Sequence, residues 1–203
     1  MMSLSLIKFL ATIAGNLYLL KYAHRMARAT KKRGMNCPRY SVTGEIVDLT
    51  HEVSSGAYLF ISSNEVLTRS LLIVLAVHIN LCIGILIYKS CLMPRIWLVI
   101  IGVYLTKALC NAVYHAPPPD GRINRRLRKR KLHWSIASQQ ETFFSGHTSL
   151  CALAYLFCSN SIKPFILIGS IFTVLCILIL RVHYIIDIIS ALLCVFFYYT
   201  IIM

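Results

Sequence analysis

Acid is scarce in this chain. Seven Asp and Glu stand against 21 Lys and Arg in 203 residues, so the formal net charge is +14, yet only 14% of residues are charged. With 58% hydrophobic residues and a mean hydropathy of +0.70, that shortage argues against a soluble domain and for an all-α, polytopic membrane helix bundle. No CxxC pair occurs among the eight cysteines, which argues against a zinc or redox site. Cys82, Cys110, Cys151, Cys158, Cys176 and Cys194 fall in or at the ends of apolar stretches, where a free thiol packs as a small hydrophobe. The first apolar stretch, residues 4–20, lacks a basic leader and an obvious cleavage site, so it reads as a retained span rather than a signal peptide. Aromatic residues do not interleave the dense basic run at 122–131, which makes nucleic acid a poor partner for it.

A hydrocarbon core of ~30 Å requires ~20 apolar residues per helix. Six stretches approach this: 4–20 (the weakest, carrying Lys8 and Asn16), 70–88, 95–114, 144–158, 163–180 and 183–202. Pro94 and Pro164 lie near the starts of two of them, where a missing N–H costs little. Ser62 and Glu65 have the spacing of a capping box ahead of the second span. The 144–158 stretch is short, so its helix is expected to begin in the polar layer around Ser145. The chain divides into an N-terminal span with a basic loop, 1–44, and a bundle, 45–203. Six spans put residues 21–69, 115–143 and 181–183 on one side. All seven acids, and every histidine except His78, map to that side or to helix ends facing it. Such a distribution suits an enzyme with its active site at one end; a channel or transporter would place these groups near the midplane.

Two short patterns open apolar stretches on that side: Ser145-Gly146-His147-Thr148, and Arg181-Val182-His183-Tyr184-Ile185-Ile186-Asp187. His183 and Asp187 are four apart and share a face if both are helical. A carboxylate there can accept from one ring nitrogen and leave the other as a lone-pair nucleophile. Taken alone, the spacing fits equally a buried His–Asp pair that only holds helices together. In the first pattern, Gly146 lets backbone approach a ligand closely. Ser145 and the first helical N–H groups make an anion-binding terminus. His147 is then placed to protonate a leaving oxygen.

These patterns resemble the type 2 phosphatidic acid phosphatase superfamily, and within it the sphingomyelin synthase-like branch, over roughly residues 45–195. Gln139-Gln140-Glu141-Thr142-Phe143-Phe144-Ser145-Gly146-His147-Thr148 is similar to a CGDxxxSGHT pattern, with the acid one methylene longer. His183-Tyr184-Ile185-Ile186-Asp187-Ile188-Ile189-Ser190-Ala191 is similar to HYTxDVxxA. Thr106-Lys107-Ala108-Leu109, followed by Pro117-Pro118-Pro119, resembles an Arg-Ala-Leu segment with its Pro-rich loop, and Lys107 keeps the charge but not the fork. Val47-Asp48-Leu49-Thr50-His51-Glu52 resembles the acidic motif of the first loop. The KxxxxxxRP motif of simple phosphatases has no match, which favours the synthase-like branch.

The resemblance implies that His183 is the nucleophile, Asp187 its orienting carboxylate and His147 the general acid/base. Arg181, Lys107, Ser145, Gly146, Glu141 and Asp48 would complete the substrate and phosphate site. It implies a phospholipid headgroup donor and ceramide or another lipid as acceptor, with no metal and no cofactor. Water as acceptor would make the same site a lipid phosphate phosphatase, and a catalytically silent scaffold is the alternative outside enzymology. Tyr104, Tyr114, Phe143, Phe144 and Tyr184 are expected near a mouth open to lipid. The basic runs at 21–33 and 122–131 suit anionic lipid headgroups, at ~1 kcal/mol per residue near a charged surface. The expected setting is a multi-pass protein of an endomembrane (ER or Golgi) or the plasma membrane. On the proposed catalytic side the loops carry fifteen Lys and Arg (eight in 21–69, seven in 115–143) against Lys89, Arg95 and Lys163 opposite. Positive-inside counting therefore places the site on the cytosolic face, and the resemblance places it on the lumenal or exoplasmic face.

Overall fold

The structure, a computed structural model, describes residues 49–113 and 144–203. Every regular element among them is an α-helix: α1 (Leu49–Val53), α2 (Ser55–Ser63), α3 (Glu65–Leu92), α4 (Arg95–Val113), α5 (Gly146–Phe157), α6 (Lys163–Ile179) and α7 (Ile185–Ile202). Two of these, α3 with 28 residues and α7 with 18, are long and apolar enough to cross a membrane; α6 is apolar but shorter. The apolar stretch at 4–20 lies outside the described residues.

The breaks between helices follow local chemistry. Asn64 ends α2 and caps α3, its side-chain oxygen accepting from Leu67 N at 3.0 Å. The cap is thus Asn64 rather than the Ser62 expected from the capping-box spacing, and the Ser62 hydroxyl donates to Leu59 O at 3.0 Å. Asn satisfies the exposed amide at least as well as Ser does, and it stands one residue before the helix starts. Pro164 occupies the first turn of α6, as expected. Ser145 caps α5, so that helix does begin there.

Helix α5 is the hub. It packs against α3, α4, α6 and α7, and α4 packs along α7. Its length of 12 residues corresponds to ~18 Å at 1.5 Å per residue, and most of it is enclosed by its neighbours. Leu153, Ala154 and Phe157 meet Cys82 and Leu86 of α3, Val99 and Val103 of α4 and Val195 of α7 in the main core. Phe144 is buried in this same core rather than at an open mouth, and Tyr184 is also buried. Tyr114 and Phe143 lie outside the described residues. The helix exteriors carry exposed large hydrophobics instead: Ile73 and Val77 on α3, Leu105 and Leu109 on α4, Phe165 and Ile168 on α6, Leu193 and Phe196 on α7. Buried polar side chains, among them Ser145, Thr148, Ser149, Thr173, His183 and Asp187, collect inside.

Candidate active site

Helix α6 ends in a reversal that sets up the site. Arg181 N–H donates to Leu178 O at 3.0 Å and Val182 N–H to Ile177 O at 2.9 Å. This is the Schellman pattern, in which the residue after the cap adopts a left-handed conformation. Arg181 occupies that position with φ 53°, the one non-glycine residue with positive φ among the described residues. Glycine is the usual occupant, because a side chain there costs roughly 1–2 kcal/mol. An arginine therefore sits at this turn against the local preference. Its guanidinium carbon lies 4.4 Å from the centre of the Tyr58 ring, and its Nη2 donates to His51 O at 3.1 Å.

The chain then enters α7 through His183 and Tyr184. Helix α7 begins at Ile185 with Tyr184 as its cap, so His183 precedes the helix and does not share a helical face with Asp187. Their contact arises differently. Asp187 is the third residue of α7, and its Oδ2 reaches back to accept from Tyr184 N–H at 3.0 Å. That return, the acidic half of a capping arrangement, leaves the same oxygen 3.1 Å from His183 Nδ1. A carboxylate only accepts, so Nδ1 carries a proton, and in the neutral ring the lone pair is on Nε2. Both side chains are 1% exposed. His183 Nε2 has no hydrogen-bond partner among the described residues.

The Ser-Gly-His-Thr segment is tied to this turn through the backbone: Ser145 N–H donates to Asp187 O at 3.1 Å. Ser145 Oγ accepts from Thr148 N–H at 3.3 Å and from the Thr148 hydroxyl at 2.9 Å, fixing the first turn of α5. His147 in that turn stands with its ring centre 6.2 Å from that of His183, the planes at 66°. A Cβ on Gly146 would come within 2.7 Å of Lys107 Nζ. The space that glycine leaves open is thus where the ammonium of α4 comes in, and two positive elements meet at one point: Lys107 and the N-terminal end of the α5 dipole.

A third segment closes the site. His51 of α1 donates from Nε2 to His183 O at 3.0 Å, and its ring lies 5.3 Å from that of Tyr184. The acceptor is a carbonyl, which assigns the proton of His51 to Nε2. His51 and Tyr58 are the contributors for which sequence reasoning assigned no role. His51 lay inside the quoted acidic motif without a task, and nothing local marked Tyr58.

Of the residues expected at the site, His147, His183, Asp187, Arg181, Lys107, Ser145 and Gly146 come together at one end of the bundle. Asp48 and Glu141, with both basic runs and the Pro-rich loop, lie outside the described residues. Chemically the assembly offers a buried, oriented imidazole with a second imidazole beside it, Lys107 at the N-terminus of α5, and Arg181 braced against Tyr58 and His51 in the turn that precedes His183. No family model, no curated protein and no solved structure matches this chain.

Proposed function

We propose that this chain is a six-span integral membrane phosphotransferase that moves a phospholipid headgroup to ceramide through a phosphohistidine intermediate, in an endomembrane or the plasma membrane. One observation carries the reading: His183 Nδ1 is committed to Asp187 while Nε2 makes no hydrogen bond among the described residues and the His147 ring stands 6.2 Å away. Such a pair suits nucleophilic attack by one imidazole and proton transfer by the other.

In this mechanism His183 Nε2 attacks phosphorus. The bond from phosphorus to the diacylglycerol oxygen breaks, and His147 supplies that oxygen with a proton. The ring of His183 becomes cationic, and the Asp187 carboxylate stabilises it. Lys107, Arg181 and the α5 N-terminus offset the negative charge gathering on the phosphoryl oxygens. The hydroxyl of ceramide then attacks phosphorus, returns its proton to His147 and releases His183. The burial of His183 and Asp187 favours a lipid acceptor over water, and the apolar helix exteriors suit lateral entry of two lipids.

The test is purified protein in detergent given labelled phosphatidylcholine, phosphatidylethanolamine or phosphatidic acid, each with and without ceramide. Headgroup transfer to ceramide should exceed hydrolysis when both acceptors are present. Rapid release of phosphate from phosphatidic acid, with no ceramide-linked product from any donor, would make the protein a phosphatase. No turnover of any of these would leave it a scaffold.

A further inference from the structure

His78 is the one histidine that the sequence placed away from the catalytic end, and the structure gives it company. Helix α3 carries His78 and Cys82, one turn apart and therefore on one face. Helix α5 brings Cys151 to the same point. His78 Nε2 and Cys82 Sγ are 3.6 Å apart, and the ligand atoms of His78, Cys82 and Cys151 all lie within 4.8 Å of one another. Both cysteines are buried. On the facing helix α6, Gly169 makes room for the imidazole: a Cβ there would collide with His78 Cε1. Its neighbour Ser170 donates its hydroxyl to Ile166 O at 2.6 Å and keeps oxygen lone pairs for another partner.

The spacing and the charge both select the occupant. Tetrahedral zinc with Zn–S of ~2.3 Å and Zn–N of ~2.0–2.1 Å holds sulfur and nitrogen about 3.6 Å apart. His78 and Cys82 already stand at that separation. Two thiolates, a neutral imidazole and Zn²⁺ sum to zero charge, which an apolar interior tolerates; a monovalent soft cation would leave a buried negative charge. The three ligands include no carboxylate, which disfavours calcium and magnesium. We propose that His78, Cys82 and Cys151 form a zinc site inside the helix bundle, the metal replacing the two thiol protons as it binds. The three protein ligands leave the fourth tetrahedral position to a water or another small donor. Cys151 lies one turn along α5 from His147, at ~6 Å of helix rise, so the metal pins the helix that carries His147 to α3. Ligands drawn from two helices lack the CxxC spacing by which zinc sites are read in sequence.

The experiment is elemental analysis of the full chain purified in detergent, after equilibration with Zn²⁺ and removal of excess metal. Zinc should be stoichiometric with protein. It should fall to background in Cys82→Ser and Cys151→Ser but stay in Cys176→Ser, a buried cysteine outside the cluster. A measurement on the unaltered chain guards against misfolded variants: cobalt exchange should give thiolate-to-metal charge transfer with strong tetrahedral d–d bands, and Cys82 and Cys151 should resist alkylation until a chelator is added. Absence of bound zinc from the unaltered chain, zinc retained in the Cys82→Ser/Cys151→Ser double variant, or a Cys82–Cys151 disulfide in the native protein would overturn the site. None of these readouts depends on lipid turnover, so the metal site and the catalytic reading stand or fall separately.

Discussion

Replacing Asp187 by Asn tests the catalytic reading at its narrowest point. One carboxylate oxygen, Oδ2, accepts from both His183 Nδ1 and Tyr184 N–H, at 3.1 and 3.0 Å. An amide has a single oxygen to offer. If that oxygen keeps both hydrogen bonds, the new NH₂ group takes the place of Oδ1, which is buried without a partner among the described residues. An orphaned buried donor costs about 1–3 kcal/mol, enough to lower the melting temperature without unfolding the bundle. If the amide is reversed, its NH₂ confronts Nδ1, drives the ring proton to Nε2 and removes the lone pair that attacks phosphorus. In either orientation the negative charge that steadies a cationic phosphohistidine is gone. The equivalent change in a serine-protease triad costs about 10⁴ in rate through the wrong tautomer, which is about 5.5 kcal/mol of barrier. A loss of about 10³–10⁴ in headgroup transfer is therefore expected. The assay is single-turnover transfer from labelled phosphatidylcholine, with acid-labile phosphoprotein trapped in parallel and a thermal melt as the fold control. Turnover within about tenfold of the parent in a folded Asp187→Asn protein would refute the reasoning and leave Asp187 as a helix cap alone.

Three further outcomes are expected. His183→Ala should abolish both turnover and the trapped phosphoenzyme while the melt stays cooperative; substantial residual activity would remove His183 as nucleophile. Arg181→Gly should relieve the left-handed strain of roughly 1–2 kcal/mol but give up the Tyr58 stacking of about 0.5–2 kcal/mol and the hydrogen bond to His51 O of about 1.5–3 kcal/mol, so the melting temperature should fall modestly while turnover falls by about tenfold or more. A large fall in melting temperature with full activity would make Arg181 a structural residue. Gly146→Ala puts a methyl group where Lys107 Nζ now sits; because the tip of a lysine moves easily, stability should hold while KM for the phospholipid donor rises or kcat falls, and unchanged kinetics would exclude Lys107 from the site.

The features legible in the sequence are those that local chemistry decides. Helical apolar stretches, the start of α5 at Ser145 and the proline at the start of α6 all followed from propensity and capping, which act over a few residues. The pairing of His183 with Asp187 was legible too, though for a reason the structure replaces. The sequence alone suggested one helical face, whereas the contact depends on Arg181 taking a left-handed turn and on Asp187 folding back over Tyr184. The cap of α3 is Asn64 rather than Ser62 for a related reason: both side chains suit the amides of the first turn, and the completed turn decides between them. Tertiary structure alone decided that Lys107 fills the space beside Gly146, that His51 and Tyr58 brace the His183 turn, and that His78, Cys82 and Cys151 meet. Each joins residues tens of positions apart on different helices. Apolar periodicity says which face of a helix is buried; which partner face it meets, and at what depth, is settled by side-chain packing across the whole bundle.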